Sequence, residues 1–198
     1  MKLSPVTLVG RHVRLEPVTA AHLDALVCNG AEPEVWRWMP SLRADPRESV
    51  RGWCETVMPM QARGEMAAFA IVDPTRGAAG EAVGGTTLFD YSEPHRRVEI
   101  GYTWLAKFAW RTPINTECRY LLLRHAFEVL GVNRVQLKTD ARNVRSQTAI
   151  ARLGAVREGV LRAHMVMPDG WVRDSVMFSI VAAEWPGVKA RLEEFLAR

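Results

Sequence analysis

Cysteine is scarce in this 198-residue chain, with Cys28, Cys54 and Cys118 the three. An odd, widely spaced set without a Cys-x-x-Cys pair supports neither a disulfide framework nor a zinc site, and free thiols point to a reducing compartment. Long apolar runs are lacking too. Met1 to Pro17 contains no apolar signal core, and no stretch approaches the ~20 apolar residues a membrane-spanning helix needs. A soluble, cytoplasmic protein with no membrane partner is expected. Blocks of like charge are missing: Arg96-Arg97 is only a pair, and the net charge is +4. Such mild basicity suits a polyanionic small ligand and does not by itself indicate nucleic acid. His95, His125 and His164 show no metal-ligand spacing, so no metal is expected. There is no repeat, low-complexity tract or linker, and residues 1–198 read as a single domain.

What is present centres on one stretch. Val98-Glu99-Ile100-Gly101-Tyr102-Thr103-Trp104-Leu105 is an apolar, β-branched and aromatic run that suits a strand buried on both faces. After a short connector, Thr112 can cap a helix with Pro113 in its first position. Cys118, Leu121, Leu122, Ala126, Val129 and Leu130 then recur at helical spacing as an apolar stripe that stops at Gly131. A strand that feeds a helix start aims free N–H groups and a positive dipole end at one point, a site for phosphate.

Around it, His12 to Pro17 alternates as a half-buried strand, and Thr19 opens a helix through Leu23, Leu26 and Val27. Asp45 caps another helix, whose apolar face carries Val50, Trp53, Val57 and Met60. Ala67 to Val72 and Ala82 to Phe89 form a hairpin across Asp73-Pro74. Arg134 to Thr139 is a strand, followed by a polar connector and a short helix through Ile150 and Leu153. Val156 to Val166 and Val172 to Ile180 pair across Pro168-Asp169-Gly170, and Ala183 to Ala197 is a terminal helix. Strands and helices intermixed in this order predict an α/β (α+β mixed) layered fold around one sheet.

Glu99-Ile100-Gly101-Tyr102 before a helix-opening turn, then Asn143-x-x-Ser146-x-x-x-Ile150-x-x-Leu153-Gly154-Ala155, resembles the GCN5-related N-acetyltransferase (GNAT) superfamily. Glu158-Gly159-x-x-Arg162, the Asp169-Gly170 turn and Asp174 resemble its RimJ/RimL-like branch. The resemblance implies a twisted, mostly antiparallel mixed sheet splayed in the middle, with helices on both faces. It implies transfer of acetyl from acetyl-CoA, as cosubstrate, directly to an amine acceptor, either a protein N-terminus or a small amine. The rival expectation is a non-catalytic acyl-CoA-binding or sensing module. A homodimer is compatible with the resemblance, and nucleic acid is not an expected partner.

The implied cofactor-binding set comprises the strand end at Trp104 and Leu105 and the turn Arg111, Thr112, Pro113, Ile114, Asn115 and Thr116, with Asn143, Arg145 and Ser146 beyond. The superfamily's turn usually carries two small residues where this chain has Pro113 and Asn115, so the N–H groups of Ile114, Asn115 and Thr116, with Arg111, must serve. Arg142 and Arg145 are candidate phosphate partners, or a solvated surface. A backbone N–H near Trp104 or Leu105 is the implied oxyanion donor.

Glu99, in an otherwise apolar strand, is a candidate base whose carboxyl burial would raise; pairing with Arg96 or Arg97 is the plainer alternative. Glu158 is the other candidate base, or a strand carboxylate paired with Arg157 or Arg162. The superfamily's leaving-group tyrosine falls on Ile150, which cannot donate a proton. Ser146, on the same helical face, can donate to the thiolate instead, or simply begin a helix. Trp36 and Trp38, with Glu99, are the implied acceptor-binding residues, though large aromatics also serve as core.

Overall fold

The computed structural model describes residues 3–197; Met1, Lys2 and Arg198, which the expected domain includes, lie outside them. Two short strands come first, β1 (Leu8–Val9) and β2 (Arg14–Pro17). A 3₁₀ turn, Ala20–His22, leads into α1 (Leu23–Asn29), and α2 (Pro33–Trp36) and α3 (Pro46–Ala62) follow. Next come β3 (Met66–Asp73), β4 (Glu81–Ser92) and β5 (Arg97–Leu105). Then α4 (Pro113–Arg124), β6 (Arg134–Asp140) and α5 (Val144–Arg152) precede β7 (Val156–Val166), β8 (Val172–Val181) and α6 (Trp185–Ala197). The eight strands form one sheet in the order β1-β2-β3-β4-β5-β6-β8-β7, antiparallel throughout except for the parallel pair β5–β6.

Each face of the sheet carries its own core. Ile114, Cys118, Leu121, Leu122, Ile150, Trp185 and Leu192 pack α4, α5 and α6 on one side. Leu26, Trp36, Val50, Trp53 and Val57 pack α1, α2 and α3 on the other. Burying an aliphatic side chain this way contributes about 1.5–3 kcal/mol, which fixes α4 firmly although its N-terminus points at an open end of the sheet.

The predicted caps are in place. Asp45 accepts from the Arg47 N–H at 2.8 Å, and Thr112 accepts from the Ile114 N–H at 3.3 Å, with Pro46 and Pro113 in the first helical positions. One expectation is corrected. The apolar stripe of α4 does not run on to Val129, because the chain widens into a π-helical turn over His125–Val129. One extra residue in that turn rotates the register, and Val129 comes out 69 % exposed.

The feature that shapes the site is the junction of β5 and β6. The two strands pair only as Arg97↔Arg134, Val98↔Val135 and Glu99↔Gln136; beyond this, β5 runs on to Leu105 and β6 to Asp140 without hydrogen bonds between them. A bulge in β5 accompanies the parting. The β4 register shifts between Gly85 and Thr87, and Tyr102 takes a left-handed φ of 48°. Side chains hold the bulge: Trp53 Nε1 donates to Tyr102 O at 2.9 Å, and Thr87 Oγ1 donates to Gly101 O at 3.0 Å. An unpaired extra residue bends a strand and increases its twist, and here it turns β5 away from β6.

Candidate active site

The wedge between β5 and β6 has one edge of free backbone. Ala106 N–H donates to Val83 O at 2.8 Å, toward β4. Backbone groups alternate direction along a strand, so Leu105 turns its N–H and C=O to the opposite, open edge, and its carbonyl there accepts from Trp110 Nε1 at 2.8 Å. Of the two expected oxyanion donors, Leu105 offers the open-edge N–H. Trp104 directs its own toward β4, and its ring is buried against Trp36 and Trp53 with centroids 4.9 and 6.1 Å away.

Two helices start at the wide end. At α4, Arg111 adopts φ 62°, so the turn reaches its left-handed corner without glycine, at a cost of about 1 kcal/mol. Pro113 sits at the first position, where a helix makes no use of an N–H. Asn143 begins α5 as its cap, accepting from the Ser146 N–H at 3.0 Å, which commits its carbonyl oxygen to the helix start. The start of α5 reaches the turn before α4 through the Arg145 guanidinium, 3.6 Å above the Trp110 ring, while Arg152, at the far end of α5, donates to Thr116 Oγ1 at 2.7 Å. The start of α4 and the Arg145 cation therefore lie together at the mouth of the wedge, chemistry that suits an anion. Thr116 is half spent, since its hydroxyl already accepts from Arg152.

The floor is polar on the α1–α3 side. Glu99 is 1 % exposed. One of its carboxylate oxygens accepts from Gln136 Nε2 at 2.7 Å, and Lys138 Nζ lies 2.8 and 3.0 Å from the two oxygens. Its partners thus come from β6, and neither Arg96 nor Arg97 is among them; Arg97 pairs with Asp90 instead. Tyr102 stands beside Glu99, its phenol raised by burial and then by the Glu99 charge.

Beyond β6, His164 Nδ1 lies 3.0 Å from Ser175 Oγ, and Arg173 Nε donates to the same oxygen at 3.1 Å. Burial, then the Lys138 and Arg173 charges, push His164 down against the opposing Glu99 charge. At the rim, Arg142 is stacked between Trp38 (4.8 Å) and Trp171 (4.2 Å) while gripping the buried Asp140 through two nitrogens. Burial raises the Asp140 carboxyl, but the Arg142 hydrogen bonds and the Arg142 and Arg173 charges outweigh it and hold it low.

The structure separates the remaining sequence candidates. Trp36 is 0 % exposed and donates from Nε1 to Gly30 O, so it is core and does not line the groove; Trp38 stands at the rim. Glu158 is held by Arg134 through both oxygens, at 2.6 and 2.5 Å, and accepts from Ser179 at 2.8 Å, so neither Arg157 nor Arg162 is its partner. The Arg134 guanidinium, against the opposing effect of burial and with help from Ser179, brings its carboxyl down to about 2. A carboxylate that acidic is a poor proton acceptor. Cys118 is buried and its thiol is pushed up to about 12 by burial, so it is inert.

Gln136, Lys138, Tyr102, Arg173 and Trp171 join the site unforeseen. The alternation Arg134-x-Gln136-x-Lys138 carried a signal for two of them. Nothing in the sequence separates Arg173 from a surface arginine.

A family model described as the acetyltransferase (GNAT) domain matches residues 12–156. The Bacillus subtilis protein named ribosomal N-acetyltransferase YdaF is 30 % identical over 88 % of this chain and 92 % of its own length. An acetyltransferase crystal structure from T. thermophilus is 43 % identical, with TM-score 0.86 over 99 % of this chain and 100 % of that one. Mycobacterium smegmatis RimJ, solved in complex with CoA-disulfide, is 25 % identical, with TM-score 0.77 over 96 % of this chain and 94 % of that one.

Proposed function

On the premise that the chain belongs to the GNAT acetyltransferase family, in which it is an N-acetyltransferase of the RimJ/RimL-like branch, we propose that it passes the acetyl group of acetyl-CoA directly to a primary amine, a protein N-terminus or a small molecule. The single observation that carries this reading is the parting of β5 from β6 past Glu99↔Gln136, with two helix starts at its wide end. Acetyl-CoA brings an activated thioester carbonyl; the rest is done by this chain's own groups.

The starts of α4 and α5, with Arg111 and Arg145, hold the pyrophosphate. The open edge of β5 aligns the pantetheine arm, and Leu105 N–H donates to the carbonyl oxygen as it gains charge. Glu99 takes the proton of the entering ammonium, through a water where the nitrogen stops short of it. Glu158, neutralised by Arg134, is better suited to bracing β6 against β7 and β8 than to acting as base. Ser146, in the first turn of α5, donates to the departing sulfur. Trp38 and Trp171 flank the acceptor's entrance. Three free cysteines fit a reducing, cytoplasmic setting, and among the described residues no helix is long and apolar enough to cross a membrane.

Calorimetric titration with acetyl-CoA, followed by thiol-release assays on peptides and small amines, tests the reading. Saturable binding and amine-dependent release of CoA are expected. No heat and no thermal stabilisation at millimolar acetyl-CoA would sink it, and Ser146→Ala with unchanged turnover would remove that residue from the chemistry.

A further inference from the structure

Resting on that reading, we propose that the acceptor amine carries a carboxylate, and that the free guanidinium fork of Arg173 receives it. Arg173 is 4 % exposed, on β8, with its side chain folded back along the strand to Ser175. That hydrogen bond uses Nε. Among the described residues no protein acceptor engages either Nη nitrogen of Arg173, and neither nitrogen is sealed from solvent. Two parallel N–H groups on a planar cation match a carboxylate edge.

The neighbouring charges agree. Lys138 is matched by Glu99, and Arg142 by Asp140. Arg173 is the third cation of this cluster, and among the described residues no acid forms an ion pair with it. It lies close enough to feel both Glu99 and Asp140, yet forms an ion pair with neither. A cationic acceptor such as a polyamine would bring no group for Arg173 to hold. An acceptor with a carboxylate a few bonds from its nitrogen would engage Arg173 and present the amine toward Glu99 and the open edge of β5. Trp38 and Trp171, both braced on Arg142, bound the entrance and suit the apolar part of such a molecule.

A free amino acid and a peptide with an acidic first residue share this chemistry. The experiment therefore compares matched pairs in a thiol-release assay: β-alanine with β-alaninamide, and Glu-Ala-Ala-amide with Gln-Ala-Ala-amide. In the wild type, kcat/KM for one of the acids should exceed its neutral partner at least tenfold, and the pair that responds identifies the source. Arg173→Gln should collapse that ratio toward one through KM more than kcat, and Arg173→Lys should restore part of it.

Equal use of acid and amide by the wild type, or a ratio that Arg173→Gln leaves intact, overturns the proposal. Should no acceptor turn over, titration of the acetylated acids and amides into the protein with CoA decides it: preference for the acid that Arg173→Gln abolishes supports it, and equal or absent binding overturns it. Acetyl-CoA titration of the same preparations reports on the enzyme reading separately.

Discussion

The Arg145 guanidinium rests 3.6 Å above the indole of Trp110. That contact ties the start of α5 to the turn before α4 and brings the two helix N-termini together. Its position is set by packing: Trp110 is anchored by its own hydrogen bond to Leu105 O, the last residue of β5.

Arg145→Ala should therefore weaken acetyl-CoA binding about tenfold, the equivalent of ~1.4 kcal/mol for a partly desolvated cation–π contact plus a lost phosphate partner. Calorimetric titration reads the change. An affinity within twofold of wild type would show that the pyrophosphate lies elsewhere.

Glu99→Gln keeps the shape and the bond network around Gln136 but cannot take a proton. Turnover should fall about a hundredfold or more, the usual scale for a lost general base, with acetyl-CoA affinity unchanged. Glu158→Gln should cost less than tenfold in turnover. If the two variants rank the other way, Glu158 is the base and the ion pair with Arg134 opens during the reaction.

Glu158 should instead show itself in stability. Its folded carboxyl lies at about 2, below its ordinary value of 4.5. The contribution is thus complete above pH 4.5 and fades as pH falls from there toward 2. The side chain is 38 % exposed, so screening reduces the effect to about 1 kcal/mol. Urea titrations of wild type and Glu158→Gln should differ by that much at pH 7 and converge as pH falls to about 2. A gap that does not depend on pH would mean packing, not charge, is responsible.

Glu117, in the first turns of α4, accepts from the N–H groups of Arg11, His12 and Val13 at 2.9, 2.5 and 2.9 Å. Glu117→Ala should cost about 2–4 kcal/mol, since it leaves several backbone donors without a partner. Gly10→Ala should also destabilise, because a Cβ there would come within 2.4 Å of the Glu117 carboxyl carbon. Chemical denaturation measures both. A Gly10→Ala variant as stable as wild type would show that the loop can move aside without losing its grip on Glu117.

Much of the fold is legible because its signals are local. Thr112-Pro113 and Asp45-Pro46 state where helices begin, and Asp169-Gly170 states where a hairpin turns. The π-helical turn at His125–Val129 carries no such mark, which is why the residue pattern puts Val129 on the wrong surface. Of the candidate residues, Glu99, Ser146 and the turn before α4 are reached through short motifs. The pattern misplaces Trp36 because a tryptophan two residues from another gives no sign of which one turns inward.

The sequence by itself determined the order of elements, the caps that open α3 and α4, and a carboxylate set in a buried strand, since each depends on neighbours within a few residues. The tertiary structure alone decided which groups share the wedge. Glu99 meets Gln136 and Lys138, and Arg173 comes near them, only because β6 and β8 fold beside β5 in that register, and charge pairing reads distance in space, not separation along the chain.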